Sequence, residues 1–537
     1  MTIGAALTRA ATLWPEQTAV LLPPQRASNR ELHQRAVALA RGLYALGVRP
    51  RSRVGLLMPN CMEMVETVFA LAMLGAVSVP INTRLARTEL TYIIGQAELT
   101  MVITTDGTPE GIDFVELLER SLAAPPGRDG QFDLPQLPAL RRCVVLQDDP
   151  APAGFVNSEE LDDRGSEVTA DLVEHIGRQV ALSHPAVILF TSGTTSSPKG
   201  CILSHEAIVG TGVARIDERR RSAHPVVLWT PCPLFHVGAL VPLVGCVALG
   251  APYITTRRFD AAEALRLLET ERVTIALPLF PAFTDAIMDL PQFEASDLRH
   301  LEQILTTGPP RSVERAQIGF APAKLVSGYG MTEVCGVAAS SPAEESDQDR
   351  LVWDGRPFEG IEMRIVDPDS NVERHPGSMG EIVVRGYCTF DGYYRDPDAT
   401  SAAFDAAGWF HTGDMGVADG TGRVAFRGRY KDMLKVGGEN VAALEVEAFL
   451  GRHPFVRHVE VVGVPDARLD EVVAAFIELE PGCVLTREEL VEHCRGEIAR
   501  FKIPRYVEFV APGDWPMSAT KVNKVALREM MGTRALR

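Results

Sequence analysis

Five short segments of this chain carry residue types suited to gripping a polyphosphate and moving charge on it. The first is Thr191-Ser192-Gly193-Thr194-Thr195-Ser196-Ser197-Pro198-Lys199-Gly200. Its glycines let the backbone approach a ligand closely. Its hydroxyls and free N–H groups can cup phosphate oxygens, and Lys199 adds a point charge. A Walker loop needs Gly-x4-Gly-Lys-Ser/Thr; here Pro198 stands where the second glycine should be, so this grip is of another kind. The ordinary alternative is a flexible polar surface loop.

The other four segments share its character. Ser327-Gly328-Tyr329-Gly330-Met331-Thr332-Glu333 offers an aromatic face, close-approach glycines, a hydroxyl and a carboxylate. Trp409-Phe410-His411-Thr412-Gly413-Asp414-Met415-Gly416 sets among glycines a carboxylate able to accept from ribose hydroxyls. The segment from Gly428 to Asn440 gathers Arg429, Lys431, Lys435 and the pair Gly437-Gly438. Near the C-terminus, Pro516-Met517-Ser518-Ala519-Thr520-Lys521-Val522-Asn523-Lys524 places lysines after a small polar turn. Singly, each has a plain explanation: Tyr329 as core, Asp414 as a turn cap, Lys521 as a solvated charge. Five in this order are far harder to assign to chance.

The elements that must position them read as α/β. Leu32, Ala36, Leu39, Leu43 and Leu46 recur at helical spacing, and residues 63–74 read as a helix. Strands are expected at 54–58, 77–79, 101–103, 143–146, 186–190, 226–229, 273–275 and 301–305. Helical stretches between most of them imply largely parallel sheets, whose strand C-termini collect ligands. Residues 239–249 are apolar but too short to span a bilayer, and read as a buried helix. Residues 125–163, rich in Pro, Gly and acids, read mostly as a surface excursion. After about residue 355 short strands at 362–366, 381–384 and 423–426 predict a β-rich subdomain. From about 432, helices at 442–450 and 487–500 and strands at 459–464 and 472–479 predict a separate α+β unit. The domains expected are 1–430, with the β-rich part at about 355–430, and 431–537.

The five segments and their order resemble the adenylate-forming superfamily: acyl-CoA synthetases, peptide-synthetase adenylation domains and firefly-type luciferases. The likeness runs from about Leu32 to Leu527 and is nearest to acyl- or aryl-CoA ligases. It implies a large N-terminal domain of two packed, mostly parallel α/β sheets plus a β-rich portion, and a small mobile α+β C-terminal domain. It also implies ATP and Mg²⁺, with CoA as co-substrate. By that resemblance Thr191, Ser192, Gly193, Thr194, Thr195 and Lys199 close on the β- and γ-phosphates. Thr332 contacts phosphate and Glu333 ligates Mg²⁺. Gly308, Pro309, Pro310 and Tyr329 form the adenine site, Ser327, Gly328, Gly330 and Met331 are further ATP/AMP-binding residues, and Asp414 and Arg429 lie at ribose and phosphate. Lys431 marks the hinge. Lys521 bridges the acyl carboxylate and the α-phosphate, Lys435 serves the second half-reaction, and Gly437 and Gly438 line the pantetheine tunnel.

Three departures stand out. Ser196 replaces a usual glycine. Pro309 removes an N–H beside the adenine. The loop before Lys521 is one residue short and puts Thr520 where Gly is usual, yet the spacing to Lys524 and Leu527 favours Lys521 over Lys524. On the acyl side His236 follows Phe235 where α-amino-acid enzymes carry Asp, so the acid expected lacks an α-amino group. His236 is a candidate gate or, alternatively, a packed core histidine. Val237, Gly238, Val334, Cys335 and Gly336 make a small apolar pocket suited to aryl, alicyclic or medium-chain acids. Phe501, Lys502 and Arg505 resemble a CoA-nucleotide segment, or form an ordinary loop. The same adenylate serves, in relatives, an amine in amide ligases or a carrier-protein thiol. A non-catalytic acyl or nucleotide sensor is the reading from another class, and the presence of Thr332, Glu333, Asp414, Arg429 and Lys521 opposes it.

Bulk properties agree. A chain of 537 residues exceeds one ordinary core. A net charge of −17 opposes nucleic-acid binding and means that ATP must be held by local cations and dipoles. Nine cysteines without a Cys-x-x-Cys pair exclude a zinc or disulfide framework and fit a reducing compartment. No run reaches membrane-spanning length and no secretory signal is evident, so a cytoplasmic monomer or homodimer is expected.

Overall fold

A computed structural model describes residues 1–105, 111–122, 131–146, 154–191, 198–219, 224–307, 310–436, 439–466, 468–495, 497–518 and 521–535. Local signals start the elements. Ser28 and Glu31 form a reciprocal capping box, and the helix Asn29–Ala45 that follows turns Leu32, Ala36, Leu39 and Leu43 inward. Arg53–Leu57 and Met101–Thr104 form adjacent parallel strands with nearly all residues buried, as a sheet covered on both faces requires.

Among the described residues the first large sheet has eight strands. From Phe155–Val156 it runs through Arg142–Val145, Met101–Thr104, Arg53–Leu57, Val77–Pro80 and Pro185–Thr191, all parallel. Two antiparallel strands, Lys199–Ser204 and Gly392–Tyr393, complete one edge. The second sheet has seven strands, including Lys324–Val326, Gln303–Thr306, Ile275–Leu279, Leu228–Trp229 and Tyr253–Ile254, again largely parallel. Ile103 and Leu189 of the first sheet share one apolar core with Leu228, Tyr253 and Ile275 of the second. The helices His205–Arg219 and Val237–Leu249 belong to that core and meet backbone to backbone. A Cβ on Gly245 would fall 2.3 Å from the Gly212 carbonyl oxygen, so only glycine fits. Asn60 bridges the sheets: its Nδ2 donates to Cys232 O, Thr255 Oγ1 and Thr256 O, and its Oδ1 accepts from Leu234 N at 2.7 Å.

A four-stranded antiparallel sheet follows, in the order Ile361–Val366, Gly380–Gly386, Phe410–Ala418, Val424–Arg429. Its last turn is tied by Asp419, whose Oδ1 accepts from Thr421 N at 2.8 Å and Arg423 N at 3.0 Å. Beyond it, the strands Met433–Val436, Glu439–Ala442, Val456–Asp466, Asp470–Leu479 and Tyr506–Phe509 form a sheet flanked by Ala443–Leu450, Arg487–Cys494 and Lys524–Ala535. Its apolar clusters, around Val446 and Ile477 and around Phe476 and Leu527, draw on residues 434–531. The architecture is thus a large mixed α/β unit with several sheets and a smaller α+β unit.

Three local differences have physical reasons. The strand expected at 273–275 is Ile275–Leu279, because Glu271 N and Val273 N still bond back to Leu267 O and Leu268 O to close the preceding helix. The helix expected at 487–500 ends at Cys494, because the backbone is already extended at Arg495 (φ −68, ψ 125). The excursion expected at 125–163 contributes the buried Phe132, Leu134, Leu137 and Leu140, two strands, and the helix Ser158–Gly165. Its apolar residues lack a clean period, so sequence pattern did not reveal them. All nine cysteines are free thiols. Among the described residues no helix is long and apolar enough to cross a membrane.

Candidate active site

The described ends of the first motif lie on two paired strands, Pro185–Thr191 and Lys199–Ser204. Thr191 stands opposite Lys199 in antiparallel register, and Thr191 Oγ1 donates to the Lys199 carbonyl at 3.5 Å. A strand-to-helix phosphate loop has a different connection. Ser192, Gly193, Thr194 and Thr195 lie outside the described residues. At the end of this strand pair, Lys199 Nζ is 3.4 Å from Asp396 Oδ2 and 5.1 Å from the Tyr393 ring centroid. The backbone N–H of Ala399, with the Lys199 charge, holds the Asp396 carboxyl below its ordinary range.

Tyr393 joins this lysine to the second motif. Its hydroxyl donates to Glu333 Oε1 at 3.1 Å. Burial, then the Glu333 charge, pushes that hydroxyl well above its ordinary pKa, so it stays a donor. Glu333 sits in the single 3₁₀ turn Thr332–Val334 and is 7% exposed, and its carbonyl accepts from Phe390 N at 2.8 Å. Lys199, Tyr393 and Glu333 therefore form a continuous line from strand pair to carboxylate. Tyr393 escaped sequence reasoning; a tyrosine in Tyr393-Tyr394-Arg395 carries no spacing signal of its own.

A second line begins at Tyr329. Its hydroxyl donates to Asp414 Oδ2 at 2.9 Å, and Arg429 Nε lies 2.8 Å from Asp414 Oδ1. Asp414 and Arg429 are direct partners across the strands Phe410–Ala418 and Val424–Arg429. Asp414 is thus a buried mid-strand residue rather than a turn cap. Thr412 Oγ1 accepts from Asp414 N at 3.0 Å and donates to Ile382 O, fixing the aspartate's backbone. Burial, with the Asp414 charge behind it, raises the Tyr329 hydroxyl well above its usual value. Beside them Ser327 Oγ donates to Asp354 Oδ1 at 2.8 Å, and Asp354 Oδ2 accepts from Phe426 N at 2.7 Å. Burial pushes the Asp354 carboxyl up. Gly328 opens the short strand containing Tyr329, and a Cβ on Gly330 would lie 1.7 Å from Gly336 O. Met331 packs at the edge of the core and Thr332 begins the 3₁₀ turn. Gly308 and Pro309 lie outside the described residues, and Pro310 opens the helix Pro310–Gly319.

On the acyl side, His236 caps the helix Val237–Leu249 and is exposed, which rules out the packed-core alternative. Its ring centroid is 4.6 Å from that of Phe235. Val237 and Gly238 are half-buried in the first turn, and Gly336 (φ +99) faces Val237. Val334 and Cys335 are fully buried, and that burial pushes the Cys335 thiol up. Asn60, which sequence reasoning missed, holds Leu234 N just upstream and so sets where His236 begins its helix.

In the C-terminal unit, Lys435 pairs with Asn440 and Lys521 with Ser518 as backbone partners, and Lys431 lies in the turn Tyr430–Asp432. Gly437 and Gly438 lie outside the described residues. Lys524 Nζ contacts Glu447 Oε1 at 2.5 Å, Glu460 Oε2 at 3.4 Å and Val461 O. Burial acts to lower its pKa, but those carboxylates outweigh it and leave it raised. Phe501 lines a recess of about 610 Å³ with Val436, Val473 and Ile498. Lys502 and Arg505 already pair with Glu445 and Asp466.

A divalent ion was expected at Glu333. Among the described residues no group of three or more His, Cys, Asp or Glu could form a protein-only metal cage. Mg²⁺ takes one or two carboxylates and completes its shell with water and phosphate oxygens. One buried carboxylate, Glu333, hydrogen-bonded by Tyr393, fits that requirement.

Comparison with known proteins agrees with this geometry. Residues 7–394 match the AMP-binding enzyme family and residues 445–521 match the AMP-binding enzyme C-terminal domain. Indoleacetate–CoA ligase of Aromatoleum aromaticum is 35% identical over 99% of each chain. The mitochondrial medium-chain acyl-CoA ligase of Macaca fascicularis is 30% identical over 99% of this chain and 87% of its own. Among solved structures, the anthranilate–CoA ligase AuaEII bound to anthranoyl-AMP superposes with a TM-score of 0.83 at 25% identity, covering 100% of this chain and 98% of its own. ATP-bound MatB from Rhodopseudomonas palustris gives 0.82 at 25% identity over 99% of each chain. The chain belongs to the AMP-binding enzyme family, on its acyl- and aryl-CoA ligase side.

Proposed function

We propose that this enzyme couples ATP to a carboxylic acid lacking an α-amino group and then passes the acyl group to CoA. It is an AMP-forming acid–thiol ligase. In the first step a carboxylate oxygen attacks the α-phosphorus, and the bond to the β-phosphate oxygen breaks to release pyrophosphate. In the second, the CoA sulfur attacks the acyl carbon, its proton is lost, and AMP leaves with the electron pair. The observation that supports this reading is the pair of side-chain lines, Lys199–Tyr393–Glu333 and Tyr329–Asp414–Arg429, joined through the short segment Tyr329 to Glu333. In it, Asp414 accepts from ribose hydroxyls while Arg429 reaches phosphate, and Tyr329 stacks beside adenine. Thr191, Thr332 and Lys199 hold the leaving pyrophosphate. Mg²⁺ held by Glu333 would neutralise phosphate charge.

Lys521 is the cation for the charge that builds up during adenylation, worth on the order of 3 kcal/mol for such a group. The multiple ion pairs of Lys524 support that choice, because a lysine so engaged serves the fold. Lys435 serves thioester formation, and Lys431 is the hinge between units 1–430 and 431–537, the second of which moves between half-reactions. His236 gates the acyl site. Gly437, Gly438, Phe501, Lys502 and Arg505 meet CoA, the last two after exchanging their present carboxylate partners. The setting proposed is the cytoplasm, as a monomer or homodimer.

The test is ATP–pyrophosphate exchange across a panel of aryl, alicyclic and straight-chain acids. We expect exchange with at least one acid, loss of at least about a hundredfold in Lys521→Ala, and thioester on adding CoA. Exchange that survives Lys521→Ala would sink the assignment. An adenylate that reacts with an amino acid or carrier-protein thiol but not with CoA would redirect the second step.

A further inference from the structure

The residues expected to form the acyl pocket lie between two close contacts. Along the helix Val237–Leu249 the first is at Val241, whose carbonyl oxygen would lie 2.6 Å from a Cβ on Gly212 of the neighbouring helix. Val241 is one helical turn beyond Val237, so these two helices leave little room between them there. The second contact is made by Leu279. It ends the strand Ile275–Leu279 with φ +63, a region that a leucine seldom occupies, at a break in sheet register after Ala276. Strain of that kind persists only where surrounding contacts enforce it. Here the Leu279 carbonyl accepts both Thr307 N at 3.1 Å and Thr307 Oγ1 at 3.2 Å, next to the candidate adenine segment. The turn aims the side chain at the first turn of the helix. A Cβ on Gly238 would meet Leu279 Cδ1 at 2.7 Å, less than two carbons can tolerate. Leu279, Val237 and Gly238 are all half-buried, so this contact is not sealed in the core.

Resting on the function proposed above, we propose that Leu279 is a specificity-determining residue: packed over Gly238, it limits the acyl group to compact aryl or alicyclic acids and turns away long straight chains. With Leu279 Cδ1 where it rests there is no room for a methyl group on Gly238, so a chain extended along this face must displace the leucine.

The test is pyrophosphate exchange with straight-chain acids from butanoate to palmitate, and with benzoate and cyclohexanecarboxylate. The proteins compared are the wild type, Leu279→Ala, Gly238→Ala and the double variant. Leu279→Ala should raise kcat/KM for the longest acids relative to benzoate by about tenfold or more. Gly238→Ala crowds the Leu279 side chain and should lower the same ratio; the double variant should return toward wild type. Should Leu279→Ala fail to fold, Leu279→Gly, which suits the positive φ, takes its place. A ratio unchanged in folded, exchanging variants overturns the role of Leu279 alone, and a wild type that already prefers palmitate overturns the substrate class. No exchange by the wild type with any acid overturns the reading of the whole site.

Discussion

At Asp414 one carboxylate accepts from the Tyr329 hydroxyl and faces the Arg429 guanidinium. Asp414→Ala leaves the buried hydroxyl without its acceptor and the half-exposed guanidinium without its counter-charge. We expect KM for ATP to rise at least about tenfold and stability to fall by about 1–3 kcal/mol, the cost of an unsatisfied buried donor. Unchanged KM with a lowered Tm would confine Asp414 to a structural role. Tyr393→Phe removes the donor to Glu333 and leaves a carboxylate less well oriented. Calorimetric ATP binding titrated with Mg²⁺ should then need about three- to tenfold more metal, in keeping with one lost charge-assisted hydrogen bond; an identical Mg²⁺ dependence would end that idea. The contrast between these two residues shows what was legible in the sequence. Asp414 stands out by type, a lone carboxylate among glycines. Tyr393, Asp354 and Asn60 do not, because their importance lies in partners roughly sixty or more positions away that only folding supplies.

At the scale of elements, strand and helix positions were largely readable because buried parallel strands are continuous apolar runs. Edges were less so: the closure of one helix at Val273 and the end of another at Cys494 depend on hydrogen bonds that no window average sees. Likewise, nothing in the run from Gly210 to Gly212 announces that Gly212 touches Gly245. Gly245→Ala should cost at least about 2 kcal/mol through overpacking, read as a lowered midpoint of denaturation; no loss would mean that the two helices part easily. His205, at the start of the helix His205–Arg219, accepts Ile3 N on Nδ1 and so fastens the N-terminal helix. Burial lowers its pKa from 6.5 to about 4. The unfolded chain binds this proton in that window and the folded chain refuses it. The contribution is therefore complete above pH 6.5 and lost as pH falls toward 4, a total of about 3 kcal/mol. Unfolding free energies measured across that range should slope less in His205→Gln; equal slopes would assign the acid sensitivity elsewhere.

For the whole molecule, apolar cores decide what can be separated. The large core reaches no further along the chain than Val424, and the cores around Val446 and Phe476 begin at Leu434. A fragment of residues 1–430 should therefore melt cooperatively, yet lose exchange by at least about a hundredfold because Lys521 is absent; a fragment that never folds would count against the boundary. The net charge of −17 adds that nucleotide capture is a local achievement against the overall field. One feature bears on how such a molecule tolerates change. Asp414 faces Arg429 because the exposed turn held by Asp419 and the register shift between Met415 and Gly416 together fix the pairing of two strands. Inserting a single residue in the turn would reverse which side chains point inward along the second strand. That surface turn, distant from the chemistry, is thus a length gauge for the candidate nucleotide site. Apart from Asp419 its composition is open to substitution, while its length is not.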